Sequence, residues 1–315
     1  MSDAPLRVLV TGASGYIGRK LIQRLEGNPK VEEIIALDLQ LIPPSFRCAY
    51  YQRDITLPID DILREHSVNA VVHLAFQIRP SHNRQATWRT NVRGTEAVLK
   101  SCAQEGVKRF LYLSSTTVYG AYANNPDILT EESPIRPVHG FQYSEDKAEV
   151  EALLGRFSEE PTDNTVNVLR GCVVMGPSAS NFVSQALSRS FLVALKGYDP
   201  PMQFLHENDL TDALITCLQS DSSGTYNVAG EGTVNWRDLT QMSGQRLITL
   251  PAPVIYGVTE ATWRLRLQGE SSAAGLNFIR YPWVASTEKM QRELGFKPRY
   301  TSREALAEFI EAKGR

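Results

Sequence analysis

The chain has 315 residues, with 33 basic and 35 acidic side chains for a formal net charge of −2. That balance, with no run of like charges, argues against a nucleic-acid binder, and no stretch approaches the roughly 20 apolar residues that cross a bilayer. The cysteines (Cys48, Cys102, Cys172, Cys217) form no CxxC and the histidines show no ligand spacing, which suits a reducing compartment and offers no metal pattern.

The opening "MSDAPLRVLVTGASG" has no basic stretch followed by an apolar run, so no signal peptide is expected and a cytoplasmic location is. "LRVLVTG" reads as a strand ending at Gly12, and "YIGRKLIQRL" as a helix with Ile17, Leu21, Ile22 and Leu25 on one side. "VEEIIALD" is a second strand ending at Asp38, "IDDILREH" a short helix and "NAVVHLAF" a buried strand. Residues 84–105 follow as helix, "KRFLYLSS" as strand, 143–157 as helix and "TVNVLRG" as strand. Apolar strands alternating with helices predict βαβ units and a parallel sheet covered on both faces.

Beyond Gly176 the rhythm loosens around Pro200-Pro201, Pro251 and Pro253. "DLTDALITCLQS" reads as helix, "GTYNVAG" as strand, and "STEKMQRELGF" and "SREALAEFIEAK" as two closing helices. The expected class is α/β: a Rossmann-type doubly wound sheet over 1–176, with a smaller, irregular substrate-binding portion over 177–315. Some elements of that portion are expected to return to the main sheet.

"VTGASGYIG" places Gly12, Gly15 and Gly18 between a strand and a helix. That array suits a tight turn, close approach to phosphate, and close helix–strand packing, with the helix N-terminus offering free N–H groups to a pyrophosphate. Asp38 ends the next strand, where a carboxylate accepts hydrogen bonds from a ribose diol and repels a 2′-phosphate; this favours NAD over NADP. Asp54 in "QRDIT" is a weaker candidate for the adenine edge, since an Asp before a turn also serves as a cap.

"LYLSSTTVYG" (111–120) ends a strand in hydroxyls where a parallel sheet opens onto its crevice. "GFQYSEDKAEVEALL" sets Tyr143 one helical turn before Lys147, so both lie on one face. With "TGASGYIG", "HLAF", "NVRGT", "FLHENDLTDAL" and "LGFKP", these stretches make the chain resemble the extended short-chain dehydrogenase/reductase superfamily (the NAD-dependent epimerase/dehydratase family) over nearly its full length. The resemblance implies a catalytic set in which Tyr143 is the acid/base, Lys147 its partner, Ser115 the hydroxyl that orients substrate, and Asn91 a supporting residue. It also implies NAD contacts at Gly12, Ser14, Gly15, Tyr16, Ile17, Gly18, Asp38, Asp54, Ile55, Leu74 and Ala75, and again at Tyr143 and Lys147. A free tyrosine titrates at about 10, so Lys147 is expected to favour the phenolate and bring that value down.

The chain also departs from the family. Thr116 and Thr117 stand where sugar-nucleotide 4,6-dehydratases resemble one another in carrying an Asp-Glu pair, which argues against elimination of water. "LRGCVVMGP" has Val173 and Met175 where many nucleotide-sugar epimerases have Asn and Tyr, and Phe76 replaces a common small residue and narrows the space near the cofactor. "VIYGVTEATWRLRL" resembles the corresponding region of relatives acting on lipophilic carbonyls; packing changes unrelated to substrate explain these departures equally well. His206, Glu207 and Asp209 read as a strand end and a helix cap, with Asp209 near the helix N-terminus. Arg189, Arg237 and Arg280 are the cations available to an anionic substrate.

An NAD-dependent oxidoreductase acting on a secondary alcohol or ketone is expected. A nucleotide-sugar epimerase and a non-catalytic NAD-sensing regulator are the alternatives. By resemblance, helices near 91–104 and 143–157 pair across a homodimer two-fold, with Val98, Val150, Leu153 and Leu154 supplying apolar contact.

Overall fold

Aliphatic runs bounded by turn residues form a seven-stranded parallel sheet in a computed structural model that describes residues 5–43, 45–159 and 164–314. The first six strands are β1 (Leu6–Thr11), β2 (Val31–Asp38), β3 (Ala49–Gln52), β4 (Ala70–His73), β5 (Arg109–Ser115) and β6 (Thr165–Gly171). Three short strands follow outside this sheet, β7 (Val173–Met175), β8 (Phe191–Leu195) and β9 (Phe204–His206), and then β10 (Gly224–Val228) joins it beside β6. The spatial order is β10-β6-β5-β4-β1-β2-β3. It reverses direction between β1 and β4, which puts the ligand crevice of such a sheet outside the strand C-termini Thr11, Asp38, His73 and Ser115.

Side chains alternate across each strand, and β1 divides accordingly. Val8 and Val10 join Ile34, Ala36 and Val72 on one face, while Leu9 joins Ile35, Leu37 and Val71 on the other. The second face is covered by α2 (Asp60–Glu65), α4 (Gly94–Gln104) and α5 (Gln142–Glu159), and the first by α1 (Tyr16–Glu26), α7 (Glu207–Gln219) and α10 (Glu288–Leu294). Between α1 and α10 in the chain lie α3 (Arg84–Trp88), α6 (Phe182–Leu187), α8 (Trp236–Ser243) and α9 (Ala252–Arg264), and α11 (Ser302–Ala312) closes it. β7 pairs with β9, and β8 with β11 (Arg246–Leu250), all parallel. Among the described residues no helix is long and apolar enough to cross a membrane.

Three expectations change. β4 stops at His73 because the chain turns inward at Leu74 and Ala75, whose amides bond to the Thr11 carbonyl and hydroxyl. The segment 84–105 is not one α-helix: Arg89–Arg93 form a π-helical turn between α3 and α4, with Asn91 at its centre. Val98, Val150 and Leu154 are completely or almost completely buried in their own core. Each contributes about 1.5–3 kcal/mol to the protomer by burial and is unavailable to a dimer seam; only Leu153 of the four keeps exposed surface.

Candidate active site

The glycine turn joins β1 to α1 against the start of the 74–76 segment. Gly12 has φ +69°, and a Cβ there would stand 2.6 Å from the Ala75 nitrogen; one at Gly18 would stand 2.3 Å from the Gly12 carbonyl oxygen. The turn is therefore closed by backbone packed on backbone, which only glycine permits. Gly15 caps α1 without a side-chain hydrogen bond, and no acidic residue lies in the first turn. The leading amides of an 11-residue helix thus remain open toward an anion. Ser14 donates its N–H to Asp38 Oδ2 at 3.0 Å, and Gln40 donates to Asp38 Oδ1 at 3.0 Å. This carboxylate is fixed against the turn with a further lone pair on each oxygen, as a diol contact requires. Asp54 Oδ1 accepts the Thr56 N–H at 2.9 Å, a local turn bond, and Ile55 is buried beneath Gly94.

Ser115 is the last residue of β5, and its hydroxyl accepts the Thr117 N–H at 3.2 Å, opening the short 3₁₀ turn Thr116–Tyr119. That hydroxyl neighbours the Tyr143 phenol on α5. Tyr143 keeps some exposed ring surface, yet its surroundings are dense enough that burial pushes the phenol above its ordinary range, with Ser115 pulling against that shift. Lys147 is buried. Its Nζ donates to the Leu113 carbonyl at 2.6 Å and lies 3.7 Å from the Phe76 ring centre, 4.5 Å from that of Tyr112 and 6.0 Å from that of Tyr143. Burial brings its pKa down to about 7, opposed by Glu151 and Asp146. The expected lowering of Tyr143 by Lys147 is thus not seen: burial shifts the phenol upward. Desolvation dominates both groups, and the ammonium is turned toward Leu113 and Phe76.

Asn91 sits at the opposite edge of α5. Its Oδ1 accepts the Gln77 N–H at 2.7 Å and its Nδ2 donates to Asp146 Oδ2 at 2.9 Å, while its carbonyl accepts from the Thr95 hydroxyl at 2.6 Å. It ties the 76–77 segment to α5. His73 continues this framework, with Nδ1 2.7 Å from the Thr11 hydroxyl and Nε2 2.9 Å from that of Thr95. Since Thr95 donates to Asn91, Nε2 carries the proton; burial, aided by Lys147, drives the His73 pKa down to about 3 and keeps the ring neutral.

Several contributors escape the motifs. Arg170 on β6 holds Glu151 of α5 through Nη2–Oε2 at 2.6 Å and Nε–Oε1 at 3.1 Å, and its Nη1 donates to the Tyr119 hydroxyl at 2.7 Å. This buried network locks α5, one turn beyond Lys147, onto the sheet. Thr116 and Thr117 bury hydroxyls without a protein partner directly after Ser115, which suits a polar ligand group there. Glu207 is buried against the Tyr16 hydroxyl and 2.7 Å from Lys20 Nζ. His206 ends β9 and caps α7, its Nδ1 accepting the Asn208 N–H at 3.2 Å, and Asp209 in the first turn accepts the Tyr300 N–H at 2.9 Å. Arg237 pairs with Asp199 and Arg189 with Glu270, whereas Arg280 bonds to the Tyr198 hydroxyl at 2.7 Å.

A family profile described as "NAD dependent epimerase/dehydratase family" matches residues 8–229. An uncharacterized protein of Mycobacterium tuberculosis (strain ATCC 25618 / H37Rv) is 27% identical over 321 residues, covering 98% of this chain and 85% of that protein. UDP-glucuronic acid decarboxylase 1 of Arabidopsis thaliana is 27% identical over 257 residues, 75% of this chain and 57% of the relative. Among solved structures, MoeE5 in complex with UDP-glucuronic acid and NAD superimposes with a TM-score of 0.78 at 25% identity, over 98% of this chain and 99% of that one.

Proposed function

The chain belongs to the NAD-dependent epimerase/dehydratase family, a family of NAD-dependent enzymes, and we propose that it interconverts a secondary alcohol and a ketone with Tyr143 as acid and base. The observation that carries this reading is buried Lys147 one turn along α5 from Tyr143, next to Ser115 at the end of β5, at the same strand-end edge of the sheet as the glycine turn and the open amides of α1. The residues fit NAD. The turn at Gly12, Ser14, Gly15, Tyr16, Ile17 and Gly18 would hold the pyrophosphate and Asp38 the adenosine ribose. Asp54, Ile55, Leu74 and Ala75 would line the remaining edge. NAD, when bound, supplies hydride exchange at the substrate carbon.

The protein's own part is proton transfer. Ser115 and the buried Thr hydroxyls orient the substrate oxygen, and Tyr143 exchanges the proton with it at hydrogen-bonding distance. Burial favours the phenol form of Tyr143, the form that carries the proton a ketone oxygen would receive. Lys147, titrating at about 7, sits where it can reach a ribose hydroxyl and bias the phenol.

A nucleotide-sugar epimerase is the second reading; the likeness to MoeE5, solved with UDP-glucuronic acid and NAD, favours a nucleotide-sugar ligand, and this reading draws on the same three side chains. Incubation with NAD and a panel of secondary alcohols, UDP-glucose and UDP-glucuronic acid separates the two. Net accumulation of NADH absorbance supports the dehydrogenase; an altered sugar product without accumulation supports the epimerase. Neither NADH nor altered product across the panel, from a protein that binds NAD, contradicts both. A cytoplasmic homodimer completes the proposal, its seam on the polar outer faces of α4 and α5.

A further inference from the structure

A buried ammonium ordinarily keeps its charge by pairing with a carboxylate. Among the described residues Lys147 has no such pair. The two acids that favour its charge, Asp146 and Glu151, are spent elsewhere: Asp146 on Asn91 and Gln142, and Glu151 on Arg170 and Ser114. From β4, His73 is neutral; from β5, Tyr112 offers a ring and Leu113 a carbonyl; from α5, Tyr143 offers a protonated phenol. The Leu113 carbonyl accepts its one hydrogen bond among the described residues, at 2.6 Å, and the nearest aromatic face is that of Phe76, centred 3.7 Å from Nζ; this ring also meets Tyr143 edge-on at 5.7 Å and 87°.

We propose that Phe76 is a positioning residue whose ring face holds Lys147 as an ammonium beside Tyr143, doing the work of an absent acidic partner. The negative face of an aromatic ring attracts a cation, most strongly where water is excluded, and Nζ lies inside the range where this attraction acts. Tyr112 contributes a second, more distant face. The contact stands on geometry alone; its value to catalysis rests on the proposed role of Tyr143 and Lys147. A side chain that merely filled space here would exclude water equally well without a ring.

The test needs no substrate. The Lys147 side chain is titrated by NMR in cofactor-free, lysine-labelled protein, its signal identified by its loss in Lys147→Arg. Phe76→Leu keeps the apolar bulk and removes the ring face, and is expected to lower the midpoint by about one pH unit. Replacement of Phe76 by pentafluorophenylalanine keeps the shape and removes the negative face; it is expected to lower the midpoint similarly, and it decides the matter if the Leu variant fails to fold. A fluorinated variant that titrates with the native protein, or a folded Leu variant that does so or titrates higher, overturns the proposal. Loss of turnover in Tyr143→Phe speaks to the catalytic reading alone and leaves this titration untouched.

Discussion

Tyr143 and Lys147 are shifted in opposite senses by the same cause, the removal of water from one small site. The consequence is directional. A phenol kept protonated beside an ammonium that is half deprotonated at about pH 7 is a donor site, so the initial rate of ketone reduction is expected to fall as pH rises through about 7. Lys147→Arg, which stays charged, should hold a plateau across that range; a native profile flat from pH 6 to 9 (on the order of three units about that midpoint) would contradict this. The placement of Ser115 and Asp38 at strand ends, and of Tyr143 and Lys147 one turn apart on a helix, was legible because each sits in a motif whose spacing follows from a helix turn or a strand end. Arg170–Glu151 and His73 were not assigned roles, and Phe76 was read only as narrowing the space near the cofactor, because their partners lie far along the chain and only folding brings them together. Arg170→Met strands Glu151 in the interior and is expected to cost about 3–5 kcal/mol in urea unfolding. Combining it with Glu151→Leu should restore much of that, and equal losses in the single and double variants would deny the pair its role.

Among the elements, α1 and the π turn do most to set the site. α1 rests on the glycine turn so closely that a Cβ at Gly18 would lie 2.3 Å from the Gly12 carbonyl oxygen, and the obstacle is backbone, which cannot move aside. Gly18→Ala should therefore displace the helix N-terminus. Small-to-large strain of this kind costs about 1–3 kcal/mol, and NAD affinity, read by calorimetry, should fall at least about tenfold because the open amides lose their aim. An unchanged affinity would separate the turn from the cofactor. The strong elements were legible: β1, β2, β5, β6, α1, α5 and α11 lie within one or two residues of their expected bounds. The π turn was not, because a single extra residue leaves apolar periodicity intact while it commits Asn91 to Gln77, Asp146 and Thr95. β3, β7 and β8 escaped because three to five residues are too few for alternation to register, and α9 because its exposed Val254 and Val258 blur its polar face.

At the scale of the molecule, the sheet is completed from the far half of the chain. β10 pairs with β6, and Leu210, Leu214, Tyr226 and Met290 fill the same core as β1 and α1. We propose that the boundary near 176 divides binding tasks rather than folding units. A fragment of residues 1–176 is expected to lack a cooperative thermal transition by circular dichroism, while the full chain shows a single one; a cooperatively folded fragment would reverse that view. Because Val98, Val150 and Leu154 serve their own core, the proposed homodimer has a polar seam, and its mass in solution should fall toward the protomer as salt is raised. The central claim is that Tyr143 moves the proton beside bound NAD. It is tested most directly by measuring NAD affinity and turnover together in Tyr143→Phe, with whichever panel substrate the native protein converts. Affinity within about twofold of native and turnover reduced by about 10²–10⁴-fold is the expected result; turnover at the native rate would contradict it.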